Sequence, residues 1–128
     1  MAVDSDIHAF FAALADAAGV PHPRVNCDVP LPGEAQYSPV RKEIQFSDGE
    51  FLRTLTESGS SAPLRWGLHE FAHHIQYCSN GQEGLSESGA IEFTNAHVGQ
   101  LMPIWERAVI ESATITIPAA VDYTLALE

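Results

Sequence analysis

Between Leu68 and Ile75 the chain reads Leu68-His69-Glu70-Phe71-Ala72-His73-His74-Ile75, two histidines four residues apart with a glutamate directly after the first. At a helical advance of about 100° per residue, Leu68, Phe71, Ala72, Ile75 and Cys78 share one side, and His69 and His73 share the other with Trp66 and Tyr77. A segment patterned this way folds as a helix backed by a core, with two imidazoles stacked one turn apart. Two such rings can reach one tetrahedral ion, and the intervening glutamate then points beside that ion. Zinc lowers the pKa of a water it binds to about 7, so a carboxylate placed there can take the proton as the water attacks a carbonyl. His69 and His73 are therefore candidate ligands of Zn2+, and Glu70 is the candidate catalytic base. His74 points about 100° away from His73 and is expected at a polar edge or behind the ligands.

Catalytic zinc sites commonly take three protein ligands and leave a fourth position open. The spacing HExxHxxGxxH does not apply, because position 76 is Gln76 and position 79 is Ser79. Glu83, Glu87, Glu92 and His97 are the downstream candidates. On a helix starting near Ser86, the residues Ala90, Ile91, Thr94, Val98, Leu101 and Met102 form a stripe, and Glu87 projects onto its middle. A carboxylate on a core-facing line needs a partner. Glu87 is thus preferred as third ligand, with Glu92, beside Ser88, Asn95 and Gly99, as the alternative and His97 behind both.

Around this pair of helices the chain is punctuated clearly. Ile7, Phe10, Phe11, Leu14, Ala17 and Ala18 predict an amphipathic helix from Asp4 to Ala18, with Asp4 or Ser5 as cap and Gly19 as stop. Pro21, Pro23, Pro30 and Pro32 bracket a short strand near Arg24 to Val29. Ala35 to Ser38 and Glu43 to Phe46 read as a hairpin with Ile44 and Phe46 on one face. A second helix, capped by Ser47 or Asp48, runs to about Ser58 with Phe51, Leu52 and Leu55 inward. The motif helix spans Ser61 to about Cys78, and the next runs from Ser86 to Gln100 until Gly99 and Pro103 stop it. A short fifth helix covers Ile104 to Ser112, and Ala113 to Glu128 reads as strand or extended tail.

With 128 residues the expectation is one domain, 1–128, and one cleft. Seventeen acidic residues against six basic ones, a formal charge of -11, with Arg24, Arg41, Lys42, Arg53, Arg65 and Arg107 scattered, exclude the basic patch that nucleic acid needs. No apolar run approaches the roughly 20 residues that cross a membrane. Met1 to Gly19 holds Asp4, Asp6 and Asp16 and no Lys or Arg, the wrong charge for a secretory or transit signal, which points to the cytoplasm. Cys27 and Cys78 have no metal-type spacing and are expected as buried thiols.

HExxH followed by a downstream glutamate resembles the gluzincin metallopeptidases. More narrowly, His69 to Gln76, then Glu87-Ser88-Gly89-Ala90-Ile91-Glu92-Phe93, then Leu101-Met102-Pro103 resemble the small ImmA/IrrE-type peptidases. Departures are Ile91 in place of Asn or Asp, Thr94 in place of Ala, and a late Leu101-Met102-Pro103. The resemblance implies an α+β, minimal zincin-like domain. In such a domain a small, mostly antiparallel sheet packs on the motif helix beside a second ligand-bearing helix. It also implies ligands at His69, His73 and Glu87, the base at Glu70, and an edge strand drawn from Tyr37 and Glu43 to Phe46 that pairs with extended substrate. The function expected is a zinc-dependent endopeptidase acting on protein or peptide, in which Glu70 activates a zinc-bound water, with Tyr77, Tyr37 or His97 to steady the oxyanion. The alternatives are a catalytically silent zinc-binding regulatory module of the same fold, and a metal-free helical interaction domain. A further expectation is that Ile115, Ile117, Val121, Tyr123 and Leu125 lay the tail along the cleft and block it.

Overall fold

The computed structural model describes residues 2–113, 115–118 and 122–127. Among these residues are four α-helices, α1 (Ala2–Ala18), α2 (Gly49–Glu57), α3 (Ala62–Asn80) and α4 (Glu87–Trp105), and a sheet of β1 (Arg24–Asn26), β2 (Ala35–Ser38) and β3 (Glu43–Phe46), packed mainly on α3. The class is α+β, but the sheet is mixed, with order β1-β3-β2, β1 parallel to β3 and β2 antiparallel to it. Since β3 is the central strand, Glu43–Phe46 cannot offer an edge; the edges are β1 and β2, the latter carrying Tyr37. All four β3 residues are buried. Ile44 and Phe46 enter the core, while the Gln45 amide accepts from Gln36 at 2.8 Å and donates to Glu43 at 2.7 Å on the other face. That polar ladder satisfies side chains that burial would otherwise strand.

Helix α3 runs through the middle of the molecule and is buried from Gly67 to Gln76 except at half-buried His69. Leu64, Leu68, Phe71 and Ala72 meet Ile7, Phe10, Phe11 and Leu14 of α1 and Trp105 of α4 in one core. Phe11 lies against Phe71 with ring centroids 5.9 Å apart and against Phe10 edge-on at 5.3 Å. Its ring passes so close to α3 that a Cβ on Gly67 would stand 2.4 Å from Phe11 Cζ. Replacing Gly67 by Ala gains about 1 kcal/mol of helix propensity, but overpacking a buried ring already packed against Phe71, Phe10 and Trp105 costs about 1–3 kcal/mol. A clash this short belongs at the upper end, so Gly67→Ala lowers the urea midpoint with the slope unchanged, a net loss of about 2 kcal/mol. A midpoint at or above that of the wild type would contradict this packing.

Several expected boundaries shift for local reasons. Helix α1 starts at Ala2, so Asp4 and Ser5 lie inside it and do not cap it; Asp4 instead pairs with Arg53 at 3.0 Å. Ala15 fills the core place expected of Ala17, which is exposed. In α2, Asp48 caps by accepting from the Phe51 amide at 3.0 Å, but the Phe51 ring is 51% exposed beside Trp66, and Leu52 and Thr56 face inward. Ser61 makes no side-chain cap for α3; Ser60 Oγ accepts from the Ala62 amide at 3.2 Å. Helix α4 passes straight through Pro103 to Trp105 and continues as a π-turn, Glu106–Ile110. Proline removes only the bond to the carbonyl of Gly99, which is exposed to water, while buried Leu101 and Trp105 hold the flanking turns. Among the described residues of the C-terminal stretch none is in a strand, and Tyr123–Leu127 forms a 3-10 turn docked on α3 and α4. Among the described residues no helix is long and apolar enough to cross a membrane. Cys27 is buried, and Cys78 only half so.

Candidate metal centre and cleft

The turn Gly81–Gly84 folds the chain back on α3 so tightly that a Cβ on Gly84 would lie 2.9 Å from the Gln76 carbonyl oxygen. Ser86 then caps α4, accepting from the Gly89 amide at 3.2 Å, and the next residue, Glu87, faces α3 across the turn. Its Oε1 lies 2.6 Å from His73 Nε2 and its Oε2 3.1 Å from His69 Nε2. The two imidazoles stand edge to face with centroids 4.9 Å apart. Among the described residues, His69, His73 and Glu87 form a cluster whose ligand atoms all lie within 4.8 Å of one another.

Glu92 is exposed, lines neither cleft described below, and stays outside the cluster, as does exposed Glu83 in the turn. His97 is buried, with Nε2 donating to the Asp122 carbonyl at 2.9 Å. The stripe expected on α4 is rotated: Ala90, Phe93, Thr94, His97 and Leu101 are buried, and Ile91 is 51% exposed. Glu87 is accordingly not a core-line carboxylate, since its side chain is 73% exposed. It reaches the histidines from the rim.

The donor set suits a borderline ion, two imidazole nitrogens and one carboxylate. His73 donates through Nδ1–H to Gln76 Oε1 at 2.8 Å, so the second ring nitrogen, Nε2, is the one turned to Glu87, and it can coordinate once its own proton is displaced. Burial pushes the His69 pKa down, only partly opposed by Glu87, which favours the loss of the proton that coordination requires. Partial burial pushes Glu87 up, but the two facing imidazoles outweigh it and hold the carboxyl below its usual range. An ion about 2.0–2.1 Å from each donor in tetrahedral array wants donors roughly 3.3 Å apart; the two histidines stand 2.6 and 3.1 Å from the two Glu87 oxygens, and one ligand atom from each residue lies within 4.8 Å of the others.

Glu70 is 8% exposed and sits where two clefts meet. One, of about 330 Å3, includes Gln36, Tyr37, His73, Leu85 and Glu87; the other, of about 370 Å3, includes Ala35, Arg65, Trp66, His69 and Ile91. Burial lifts the Glu70 pKa to about 7; His73 lowers it, Glu87 raises it, and a hydrogen bond from the Tyr37 main chain lowers it. Register explains that last bond. The Ser47 amide donates to the Glu34 carbonyl, so the bonded pairs toward β3 are Gln36 with Gln45 and Ser38 with Glu43. The main-chain groups of Ala35 and Tyr37 therefore turn outward, to the side where Glu70 lies.

His74 points away from the cluster, as its position on the helix requires, but it is wholly buried and not at a polar edge. Its Nε2 donates to the Pro21 carbonyl at 2.7 Å, leaving Nδ1 to accept from the Tyr37 hydroxyl at 2.7 Å. Desolvation lowers its pKa and keeps it neutral. Of the residues expected to steady an oxyanion, Tyr37 has its hydroxyl on His74, His97 is held by Asp122, and Tyr77 lines neither cleft. No described tail residue lines either cleft, contrary to the expected blocking role, and Val121 lies outside the described residues. Gln76, Trp66 and Gln36 were not singled out by the sequence. Only Gln76 carried a readable signal, an amide one helical turn beyond a candidate ligand, His73. In comparisons with known proteins, no family model, no curated protein and no solved structure matches the chain.

Proposed function

We propose that the chain is a zinc-dependent endopeptidase of the gluzincin kind, with a minimal zincin-like architecture resembling the ImmA/IrrE-type peptidases, working in the cytoplasm. One observation carries the reading: a buried carboxylate, Glu70, lies at the junction of two clefts beside a His-His-Glu cluster in which the Nε2 atoms of both rings face the Glu87 carboxylate. His69, His73 and Glu87 would hold the ion. Zinc, when bound, supplies Lewis acidity to the peptide carbonyl and brings the pKa of water toward neutrality. Glu70 takes the proton from the attacking water and returns it to the departing amine, a shuttle suited to a carboxyl poised near neutral pH.

An extended peptide adds to the outward main-chain groups of Ala35 and to the Tyr37 carbonyl, the Tyr37 N–H being held by Glu70, as strands add to free sheet edges. Side chains on the two sides of the scissile bond then fall into the two clefts, one walled by Trp66 and Ile91 and the other by Leu85. A silent zinc module with the same ligands would have no use for a buried base facing both clefts, so the peptidase reading is preferred to it. The test is cleavage of unfolded casein and a peptide library by the zinc-loaded chain. Cleavage stops with a chelator and returns on adding zinc. A chain that holds zinc and cleaves nothing would support the silent module instead.

A further inference from the structure

Gln76 is fully buried, and every hydrogen-bonding position of its amide is filled. Its Oε1 accepts from His73 Nδ1–H at 2.8 Å and from the Ser86 amide at 2.9 Å. Its Nε2 donates to the Ser86 carbonyl at 3.0 Å and to the Ala126 carbonyl at 2.5 Å. Two acceptor sites and two donors are all that a primary amide has. Exchanging its oxygen and nitrogen would face two carbonyls with an acceptor, so the orientation is fixed, and with it the tautomer of His73.

We propose that Gln76 is the positioning residue of the cluster and the latch through which the C-terminal segment Tyr123–Leu127 holds that cluster in shape. This rests on reading His69, His73 and Glu87 as metal ligands. Three separate pieces of chain meet at one amide: the ring of His73, the residue preceding Glu87, and the carbonyl of Ala126. Glu87 is largely exposed, and among the described residues its carboxylate is hydrogen-bonded only to the two rings, so its place depends on where the backbone at Ser86 is held. Gln76 grips that backbone by both its N–H and its C=O. Ala126 is itself wholly buried, which makes the seat of the segment a defined one. The segment thus acts on the site from behind His73, whereas a blocking tail would sit in the cleft. Whatever seats the segment tightens the ligand set, and by reciprocity an ion in the ligand set tightens the seat.

The test compares wild type, Gln76→Ala, Gln76→Glu and Ala126→Arg as full chains. Zinc affinity is read by competition with a chromophoric chelator, and hydrogen exchange of 123–127 is read with and without zinc. In Gln76→Ala the zinc dissociation constant rises about 10–100-fold, the range for partners that orient a ligating histidine. Gln76→Glu keeps the acceptor for His73 but loses both donors, so it retains more affinity while zinc no longer slows exchange in 123–127. Ala126→Arg unseats the segment with every ligand intact and weakens zinc several-fold, which keeps the test decisive if Gln76→Ala does not fold. Affinity within twofold of wild type in Gln76→Ala or Ala126→Arg overturns the proposal, as does undiminished zinc protection of 123–127 in Gln76→Glu. A wild-type chain that binds no zinc overturns the metal reading itself, a separate outcome.

Discussion

Glu70→Gln keeps its zinc and loses turnover, with kcat for peptide hydrolysis falling about 10²–10⁴-fold, the usual worth of a positioned general base. The amide occupies the same volume in a site that is 8% exposed, and its oxygen can still accept from the Tyr37 main chain. What it cannot do is carry a proton. Since Glu70 is not in the ligand cluster, zinc affinity stays near the wild-type value, and KM changes little because the isosteric amide keeps the shape of both clefts it lines. Single-turnover rates beside metal content check this. Unchanged turnover would remove Glu70 from the chemistry, and a variant that lost its metal would make Glu70 a ligand.

The second large effect separates two glutamates five residues apart. Glu87→Ala removes the oxygens lying 2.6 and 3.1 Å from the two imidazoles, and a site left with two ligands should lose more than about 100-fold in zinc affinity, beyond the range for outer partners. Glu92→Ala changes an exposed side chain outside the cluster and leaves affinity within twofold. The helix itself tolerates both substitutions, because alanine is the best helix former and Ser86, not Glu87, provides the cap. The reverse pattern would mean that α4 presents Glu92 to the ion and that the observed contact of Glu87 is a plain charge pair.

Much of this was legible from spacing alone. His69 and His73 stack because residues four apart on a helix must, and the buried backing of Leu68, Phe71 and Ala72 followed from the same period. The hairpin of β2 and β3 was readable from its alternation. Its place in the sheet was not, since β1 adds in parallel from the far side through a contact with no local signature. Glu87 was preferred on the premise that it lay on the core line of α4, and that premise fails. Its carboxylate meets the histidines through the tight turn at Gly84 and not through its angle on the helix. Pro103 misled for a related reason: helix-stopping rules price the local backbone, while the burial of Leu101 and Trp105 is set by the whole fold. Gln76 and the docking of Ala126 join residues 50 apart, beyond any local pattern.

Elemental analysis of the purified, zinc-reconstituted chain beside His73→Ala bears on all of these at once. One zinc per chain in the wild type and none in the variant is the expected result. A wild-type chain that stays metal-free after reconstitution, or a variant that holds zinc equally well, would contradict it.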